Sequence, residues 1–503
     1  MSQLNADQCY IFTDTETTGL DINFSQIIQI GSILTDESLN QENSQDIGCK
    51  LLPWIIPSPD AYLVHKKIES LSDDSMSHYE MMKLLRSTWL EWSKQRNAVY
   101  ITYNGHRFDE ELFRRQFFWN LLPLYITNTL GASRLDMLST LQLVANFFPD
   151  SINLPHKEDN GISMKLTDWS EANSIEIENA HDALADCVQM LELAKLIQTN
   201  AQQVWQASIK GATKNGNLEI LQTDPFAMIG EVVRNKTFTY PVTYCGQNAK
   251  MNNEVAVADL YFDPDLLDDL TDVELLEQIS NSGSAIRKVR INKSLPVMAS
   301  TAIPNIENYL DIPIEQLEER ARKIKENVKL QTRVSELLAS NQVNYPAPKY
   351  LEQTVYSGFP SEADDLWMER FHSLPWEERS KVLDGFEDAR YKELAERLIC
   401  SHSPEFASNE TFEKYQNFVN QRLYDKGPWP SLEKTLDKTR SMLIEATGEK
   451  KDILEKLEKS LSSKSEFSFV FLLDFFFSKV LLDSNISRDG DKYSNLFSLT
   501  SEL

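Results

Sequence analysis

Residues 9–19 read CYIFTDTETTG, and this stretch decides the fold of the amino-terminal part of the chain. Residues 9–15 form an apolar, β-favouring run and Gly19 supplies a turn after it, so we predict a strand with two acids at its end. Because side chains two apart on a strand share a face, Asp14 and Glu16 project together. Such a pair is suited to a hard divalent cation such as Mg²⁺ or Mn²⁺. A solvated strand end followed by a turn is the alternative.

Strand and helix signals alternate along the first 200 residues, which predicts an α/β domain over residues 1–200. Further strands are expected at 26–35 and 98–102. Helical spacing of the apolar residues predicts helices at 108–121 and 182–197.

Two further domains are expected after residue 200. A small β-barrel-like domain with helical additions is predicted over residues 201–350, and an all-α domain over residues 351–503. The β-rich runs and the amphipathic helices that indicate them lie at 236–245, 254–262, 286–291, 313–338, 381–399 and 431–461.

The 503-residue chain carries 76 acidic and 50 basic residues, a formal net charge of −26. Proteins that grip nucleic acids usually present a basic face, because each neutralised phosphate releases counterions. The charge argues against tight non-specific binding but is compatible with a locally basic groove. The five cysteines are widely spaced without a CxxC pair, and residues 1–10 lack a basic-then-apolar order. We therefore expect a cytoplasmic protein without disulfides or a zinc site.

The run FSFVFLLDFFFSKVLL at 467–482 is short for a membrane span, and Asp474 and Lys479 lie inside it. A buried helix or strand is the prediction. Left exposed, such a run would be prone to aggregate.

Three further candidates for a catalytic site lie far along the chain. Asp109 stands at a predicted helix start, where it either N-caps the helix or points at the sheet end that bears Asp14. His181 and Asp186 belong to the sequence AHDALAD at 180–186. A histidine beside a metal-held water can accept its proton, and Asp186 can be a further metal ligand. The alternative is a capped helix start with His181 on the surface.

The five candidates share a position, each at a strand end or a helix start of one α/β domain. They are Asp14, Glu16, Asp109, His181 and Asp186. This is the layout that two-metal phosphodiester hydrolysis requires, with ions about 4 Å apart bracketing the attacking and leaving oxygens. Taken together, the five side chains are predicted to form a catalytic site, although each alone has a structural explanation.

This pattern resembles the DEDDh exonuclease superfamily, with its ribonuclease-H-like fold, and within it the bacterial exonuclease I family. The resemblance covers about residues 8–425. The catalytic segments that carry it are FTDTETTG at 12–19, YNGHRFD at 103–109 and HDALAD at 181–186. The more selective segments are LTDWSEAN at 166–173, NAHD at 179–182, AVADL at 256–260, VRINK at 289–293 and YSGF at 356–359.

The resemblance implies an exonuclease domain, an SH3-like domain and a C-terminal helical domain that together clamp single-stranded DNA. It implies that Asp14, Glu16 and Asp186 hold one Mg²⁺, for which Mn²⁺ can substitute, and that Asp14 and Asp109 support a second. His181 is then the general base. The implied activity is 3′→5′ removal of 5′-mononucleotides from single-stranded DNA, in DNA repair and recombination, by a monomer.

Substrate contacts are expected near these residues, because an enzyme that accepts every base needs cations, main-chain amides and stacking rings. The candidates are Glu16, Thr17, Thr18, Gly19, Arg107, Phe108, Lys288 and Arg290. Core packing is the alternative for Phe108. Lys288 and Arg290 share one strand face, which either lines a channel or is simply solvated.

The resemblance also implies binding of the acidic, Phe-terminated tail of single-stranded-DNA-binding protein, which suits a basic pocket beside an apolar notch. Basic residues between positions 320 and 333 offer such a surface, or they pair with acids along a charged helix. Two other functions stay open. One is an RNA-trimming or proofreading DEDDh enzyme, often little more than a catalytic domain; the other is a non-catalytic single-strand-binding scaffold, which needs no such set of five side chains.

Overall fold

A computed structural model of the chain describes residues 7–176, 181–281, 283–341 and 346–464. The chain divides into two compact units. The first comprises residues 1–50, 64–118 and 122–355, and the second comprises residues 51–63, 119–121 and 356–503. The predicted division into three domains at residues 200 and 350 stays a prediction, and the Phe-rich run 467–482 lies outside the described residues.

The first sheet has five strands in the order β3-β2-β1-β4-β5. The strands are β1 (Gln8–Thr17), β2 (Ile27–Asp36), β3 (Gln41–Gly48), β4 (Asn97–Thr102) and β5 (Ser133–Asp136). β1 runs antiparallel to β2 and parallel to β4. The predicted α/β domain is confirmed in its three expected strands. β3 and β5 escaped prediction because β3 reads QENSQDIG, polar almost throughout, and β5 has only four residues.

The second sheet has five strands in the order β10-β6-β7-β8-β9, all neighbours antiparallel. They are β6 (Ala227–Val233), β7 (Lys236–Gln247), β8 (Glu254–Asp259), β9 (Ile286–Arg290) and β10 (Val297–Ala299). The expected closed barrel is not found, since no ladder joins β9 to β10 within the described residues. The physical reason lies between these strands, where Asn217 binds the carbonyl oxygens of Ile291 and Lys293 at 3.0 and 2.9 Å.

Helices make up most of the remaining chain. They are α1 (Pro59–His65), α2 (His78–Trp92), α3 (Asp109–Trp119), α4 (Met137–Phe147), α5 (Leu166–Ala172), α6 (Ala183–Asn200), α7 (Gln202–Gly211), α8 (Lys214–Leu221), α9 (Asp265–Asp268), α10 (Asp272–Ser280), α11 (Ile314–Glu326), α12 (Val328–Ser340), α13 (Glu362–Ser373), α14 (Trp376–Arg379), α15 (Ala389–His402), α16 (Asn409–Tyr424) and α17 (Leu432–Glu445). Short 3-10 helices lie at Ile68–Leu71, Gly105–Arg107, Ile126–Asn128, Ser300–Ala302, Ile306–Tyr309, Leu351–Tyr356, Ser380–Gly385 and Pro404–Phe406. No helix in the described ranges is long and apolar enough to cross a membrane.

Three predicted helices begin or break at capping residues that hydrophobic spacing alone did not reveal. The stretch 313–338 is two helices, because Asn327 ends α11 and its side chain accepts a hydrogen bond from the N–H of Leu330 in α12. Asp388 caps the start of α15, so that helix begins later than predicted. Gly448, at φ +56°, separates α17 from a further helix at 449–464.

The first sheet is buried on both faces. Successive side chains of β1 point to opposite faces, and each set packs into its own apolar cluster. Phe12 packs in one cluster with apolar residues of α4 and α6, such as Leu141 and Met190. Ile11 packs in the other cluster with residues of α2 and α3. Packing on both faces thus holds β1 in place, and with it the acids at its carboxyl end.

A single glycine sets the distance between the sheet and α6. A Cβ added to Gly31 of β2 would lie 2.4 Å from backbone atoms of Ala183 and Leu184. The first turn of α6 therefore rests directly on the β2 backbone. This contact brings Asp186, three residues into the helix, over the neighbouring strand β1.

Gly31→Ala is expected to push α6 away from β2 and to lower the local stability of α6 by about 1–3 kcal/mol, as overpacking does. Hydrogen exchange across residues 183–200 measures this directly as faster exchange. Gly48→Ala is the control, because its Cβ would meet only the Ile28 carbonyl oxygen, at 3.1 Å. Equal effects of the two substitutions would contradict the role of the close contact at Gly31.

Candidate active site

Three of the predicted acids meet at the end of β1. Asp14, Glu16 and Asp186 each offer a carboxylate oxygen, and these oxygens lie within 4.8 Å of one another. Asp14 and Glu16 share a face of β1 as predicted, and Asp186 comes from the first turn of α6. The side chain of Gln189, one turn later on α6, donates to Asp186 Oδ1 at 2.6 Å. The three acids thus converge from distant parts of the sequence.

Asp109 is placed beside this trio without belonging to it. It is the first residue of α3 and is 5% exposed. Thr15 Oγ1 donates to Asp109 Oδ1 at 2.5 Å, which ties the start of α3 to β1. The N-cap alternative does not describe this residue, since it lies within the first helical turn and faces Thr15 of the sheet.

Burial raises the pKa of all four carboxyl groups, and neighbouring acids raise it further. Burial, then Asp109, Asp186 and Glu16, hold the pKa of Asp14 well above its usual range. Burial, then Asp186, raises the pKa of Glu16 to about 8. Burial raises the pKa of Asp109 to about 7, against the Thr15 hydrogen bond. Burial and the Asp182 charge raise the pKa of Asp186 to about 6.

A divalent cation fits these residues. Hard cations take carboxylate oxygens, and a site where like charges repel one another gains most from a positive ion. The trio Asp14, Glu16 and Asp186 supplies that donor set. This supports dependence on a divalent metal.

Asp182 organises the entry to α6. Its carboxylate accepts from the N–H groups of Leu184 and Ala185, both at 3.1 Å, as an N-cap. Its other oxygen accepts from Gln29 at 3.0 Å and forms an ion pair with Lys67. Lys67 also opposes the rise in the pKa of Glu16. Sequence analysis identified neither Lys67 nor Gln29 as a site residue, because their contacts with Asp182 join positions more than a hundred residues apart.

His181 directly precedes this cap. It is exposed and adopts φ +64°, a backbone conformation that L-residues other than glycine rarely adopt. Burial lowers the pKa of His65 to about 4, and His181 contributes to that lowering. The structure therefore leaves His181 accessible above the helix start.

The predicted substrate residues after β1 are partly engaged within the protein. The N–H of Thr18 donates to the carbonyl oxygen of Gln26 at 2.9 Å, so this amide is not available to a nucleotide. The Thr17 hydroxyl donates to the carbonyl oxygen of Gly19 at 2.9 Å. The expectation of free main-chain donors is wrong for Thr18, because the segment folds back on the strand that follows.

Arg107 and Phe108 differ in exposure. The Arg107 side chain is exposed, whereas Phe108 is half-buried and packs against the core cluster around α2 and α3. His106 is buried, with its Nε2 3.1 Å from Ser294 Oγ. Burial lowers the pKa of His106 to about 3. The cation of this segment is therefore Arg107, and His106 is a neutral hydrogen-bonding group.

Lys288 and Arg290 lie on the exposed face of β9, as their alternation predicted. Arg290 pairs with Glu254 at 3.0 Å, and Arg287, the residue before Lys288, pairs with Asp259 at 3.1 Å.

The basic residues between 320 and 333 are largely paired. Arg322 pairs with Glu326, Lys323 with Asp265 and Arg333 with Asp272. Arg320 donates to the backbone of Leu260 and Tyr261, and Lys325 pairs with Asp224. The alternative of a charged helix with acidic partners describes most of this surface.

Two family models match the chain. The model described as Exonuclease matches residues 11–194, and the model described as Exonuclease I C-terminal domain matches residues 349–463. A curated relative, Exodeoxyribonuclease I of Haemophilus influenzae, is 27% identical over 418 residues. The match covers 79% of this chain and 86% of the relative.

Solved structures share the fold. The crystal structure of E. coli Exonuclease I in complex with a dA16 oligonucleotide matches with a TM-score of 0.77 at 20% identity, over 91% of this chain and 100% of that chain. A crystal structure of SSB/Exonuclease I in complex with inhibitor CFAM matches with a TM-score of 0.74 at 21% identity, over 91% and 100% of the two chains.

Without metal, the stability of the first unit is expected to fall as the pH rises from about 4 to 8, most steeply below pH 6, where Glu16, Asp109 and Asp186 are all protonated only in the folded state. The folded state holds protons on Glu16, Asp109 and Asp186 up to about pH 8, 7 and 6, whereas unfolded carboxyls lose them near pH 4. Deprotonation therefore favours the unfolded state. Thermal unfolding across this range measures the loss, and Mg²⁺ or Mn²⁺ is expected to reverse it.

Asp14→Asn tests the origin of this effect. Removing one charge relieves the repulsion, so the metal-free variant at pH 8 is expected to melt above the wild type and to gain less from added metal. Asp74→Asn, at an exposed loop position, is the control and should follow the wild type. A variant that melts lower than the wild type and gains equally from metal would refute the shared carboxylate site.

Proposed function

Because the chain belongs to the bacterial exonuclease I family, we propose that it removes nucleotides one at a time from the 3′ end of single-stranded DNA. The products are 5′-mononucleotides. The resemblance predicted from the sequence is confirmed by the two family models, and the family is one of nucleases. The observation that carries the proposal is the convergence of Asp14, Glu16 and Asp186, because binding alone requires no such trio.

Mg²⁺ is the proposed metal, with Mn²⁺ as a substitute. Asp14, Glu16 and Asp186 would hold one ion, and Asp14 with Asp109 would support a second. When bound, such ions polarise the phosphodiester and favour a hydroxide nucleophile at neutral pH. The hydroxyl of Thr15 keeps Asp109 turned toward β1, and the side chain of Gln189 orients the carboxylate of Asp186.

His181 is the proposed general base. It would accept the proton of the attacking water, which requires a neutral imidazole that is accessible from solvent. The exposed ring directly before the α6 cap supports this role. The ion pair of Lys67 with Asp182 fixes the backbone that presents the histidine.

The remaining substrate contacts are proposed on the basis of exposure and charge. Glu16 is one of the acids at the end of β1, Thr17 and Gly19 follow it, and Arg107 offers a cation two residues before Asp109. Lys288 and Arg290 are exposed on β9. Phe108 would offer at most an edge to a base, since it is half-buried.

The architecture and partners of the relatives extend the proposal. We propose that the second sheet corresponds to the SH3-like domain of the family, within a three-domain division at residues 200 and 350. Binding of single-stranded-DNA-binding protein is supported by the related crystal structure of SSB/Exonuclease I. A monomer located in the cytoplasm and acting in DNA repair and recombination completes the proposal, and the five free, buried cysteines are consistent with that location.

Asp186→Asn is expected to abolish nucleotide release, as is EDTA, because both remove the cation site. End-labelled single-stranded DNA, duplex DNA and RNA, digested in Mg²⁺, report substrate, polarity and product together. Glu192→Gln, at a half-buried acid on the same helix that pairs with Lys195, is the control and should remain active. Full activity of Asp186→Asn would overturn the site assignment, and a preference for RNA would point to an exoribonuclease.

His181→Ala is expected to lower the rate by at least ~10²-fold and to remove the acidic limb of the pH–rate profile, as loss of a general base does. Steady-state rates between pH 5.5 and 9, a range that brackets the ordinary histidine pKa of about 6.5, test this. His156→Ala, at an exposed position, serves as the matched control. A wild-type profile in His181→Ala would remove this residue from the mechanism.

A further inference from the structure

The loop between β9 and β10 is held against the first sheet by hydrogen bonds that involve one serine. The Ser294 hydroxyl accepts from the N–H of Asp136 at 2.8 Å and lies 3.1 Å from His106 Nε2. The carbonyl oxygen of Ser294 accepts from the hydroxyl of Ser139 at 3.2 Å. Because β5 and the segment before Asp109 supply these partners, the loop lies beside the catalytic end of the first sheet.

The same loop is fixed from behind. Asn217, at 1% exposure, donates through its amide to the carbonyl oxygens of Ile291 and Lys293. Arg134 of β5 donates to the carbonyl oxygen of Asn292 at 3.2 Å. Residues 291–294 therefore have four backbone carbonyls and one hydroxyl engaged, so contacts with α8, β5 and α4 set the position of the Lys293 backbone.

Lys293 and Arg107 belong to two segments in contact, since Ser294 Oγ lies 3.1 Å from His106 Nε2 and each of these residues is next in sequence to one of the two cations. Burial lowers the pKa of Lys293, and Arg107 lowers it next, with further contributions from Arg290 and Arg134. Arg290 and Arg134 have acidic partners, Glu254 and Glu110 respectively, at 3.0 and 3.2 Å. Within the described part of the chain, neither Lys293 nor Arg107 forms an ion pair.

The acids nearest to Lys293 are committed elsewhere. Glu111, which partly opposes the fall in its pKa, pairs with Arg115 at 2.6 Å and with Arg114 at 3.3 Å. Asp136 accepts from the N–H groups of Asn104 and Leu138. Two unpaired cations held together by a rigid loop repel each other, and an anion between them would remove that repulsion.

We propose that Lys293 and Arg107 form a phosphate-binding pair that holds the backbone of the DNA strand next to the catalytic carboxylates. Lys293 is a positioning residue contributed by the second sheet, and Ser294 positions it. This rests on the proposed function, since it names a further contact for the same substrate. It also explains how a chain with a net charge of −26 attracts a polyanion at one place.

The test measures affinity as a function of salt. Lys293→Met, Lys293→Arg and wild type are compared in steady-state digestion of single-stranded DNA over a series of salt concentrations. Binding of labelled oligonucleotide in EDTA is followed in parallel by fluorescence anisotropy. Lys210→Met is the control, because it removes a lysine that pairs with Glu219 on the surface.

Lys293→Met is expected to raise KM and the dissociation constant about tenfold, as loss of one charge-assisted hydrogen bond does. The slope of log affinity against log salt should fall by about 0.7, the value for one phosphate on a single strand. The kcat should stay within about twofold, because the reacting groups are untouched. Lys293→Arg should retain the salt slope, and Lys210→Met should match the wild type.

Ser294→Ala tests the loop separately. It keeps the lysine charge but frees the loop, so KM is expected to rise while the salt slope remains that of the wild type. An unchanged KM in Ser294→Ala with a lower melting temperature would reduce Ser294 to a structural role.

Outcomes that contradict the pair are distinct from failure of the proposed function. A wild type that binds oligonucleotide but releases no nucleotide overturns the proposed activity, and the salt slope in EDTA still judges the pair. An unchanged salt slope in Lys293→Met overturns the phosphate contact. If Lys293→Met leaves the salt slope unchanged but is inhibited less strongly by a 5′-mononucleotide, the pair binds the product, and the proposed contact with the DNA backbone is overturned.

Discussion

Repulsion among buried carboxylates is the constraint on which the rest of the structure depends. Asp14, Glu16 and Asp186 meet at the end of β1 with Asp109 beside them, and burial raises the pKa of each of the four. Ionised carboxylates in such surroundings are costly unless an opposite charge is present. The fold must therefore hold them together against their own repulsion. Apolar packing on both faces of β1 and the backbone contact at Gly31 supply the necessary rigidity.

The polar neighbours of these acids orient the carboxylates by hydrogen bonds but do not neutralise their charge. Thr15 and Gln189 each donate to one oxygen of a carboxylate and leave the other for a cation. Lys67 provides the nearest positive charge, but its ion pair is with Asp182 rather than with the trio. The site thus lacks an internal counterion among the described residues that contact it. This is the condition under which a metal contributes both to chemistry and to stability.

The sequence was sufficient for what is local and insufficient for what depends on partners distant along the chain. Alternation and turn residues located β1, β2 and β4, and the spacing of AHDALAD located α6, because these signals lie within a few residues. The short or polar strands β3 and β5 carry no such signal. The open edge of the second sheet has no local sequence signal either, because it depends on Asn217 binding a loop some seventy residues away. Lys67 and Ser294 gain their roles only through tertiary contacts.

Electrostatics explains why the acidic site residues lie on the first sheet and its helices while Lys293 lies on a loop of the second sheet. Carboxylates that bind cations must stay apart from the cations that bind phosphate, or the two would pair and both would be lost. The chain meets this requirement by placing the acids on β1, α3 and α6 and the unpaired Lys293 on a loop of the second sheet, with Arg107 between them. The contact between the loop and the first sheet is made by neutral groups, with His106 Nε2 3.1 Å from Ser294 Oγ. In the proposed function, substitution of Lys293 would therefore weaken substrate binding while leaving the carboxylates in place.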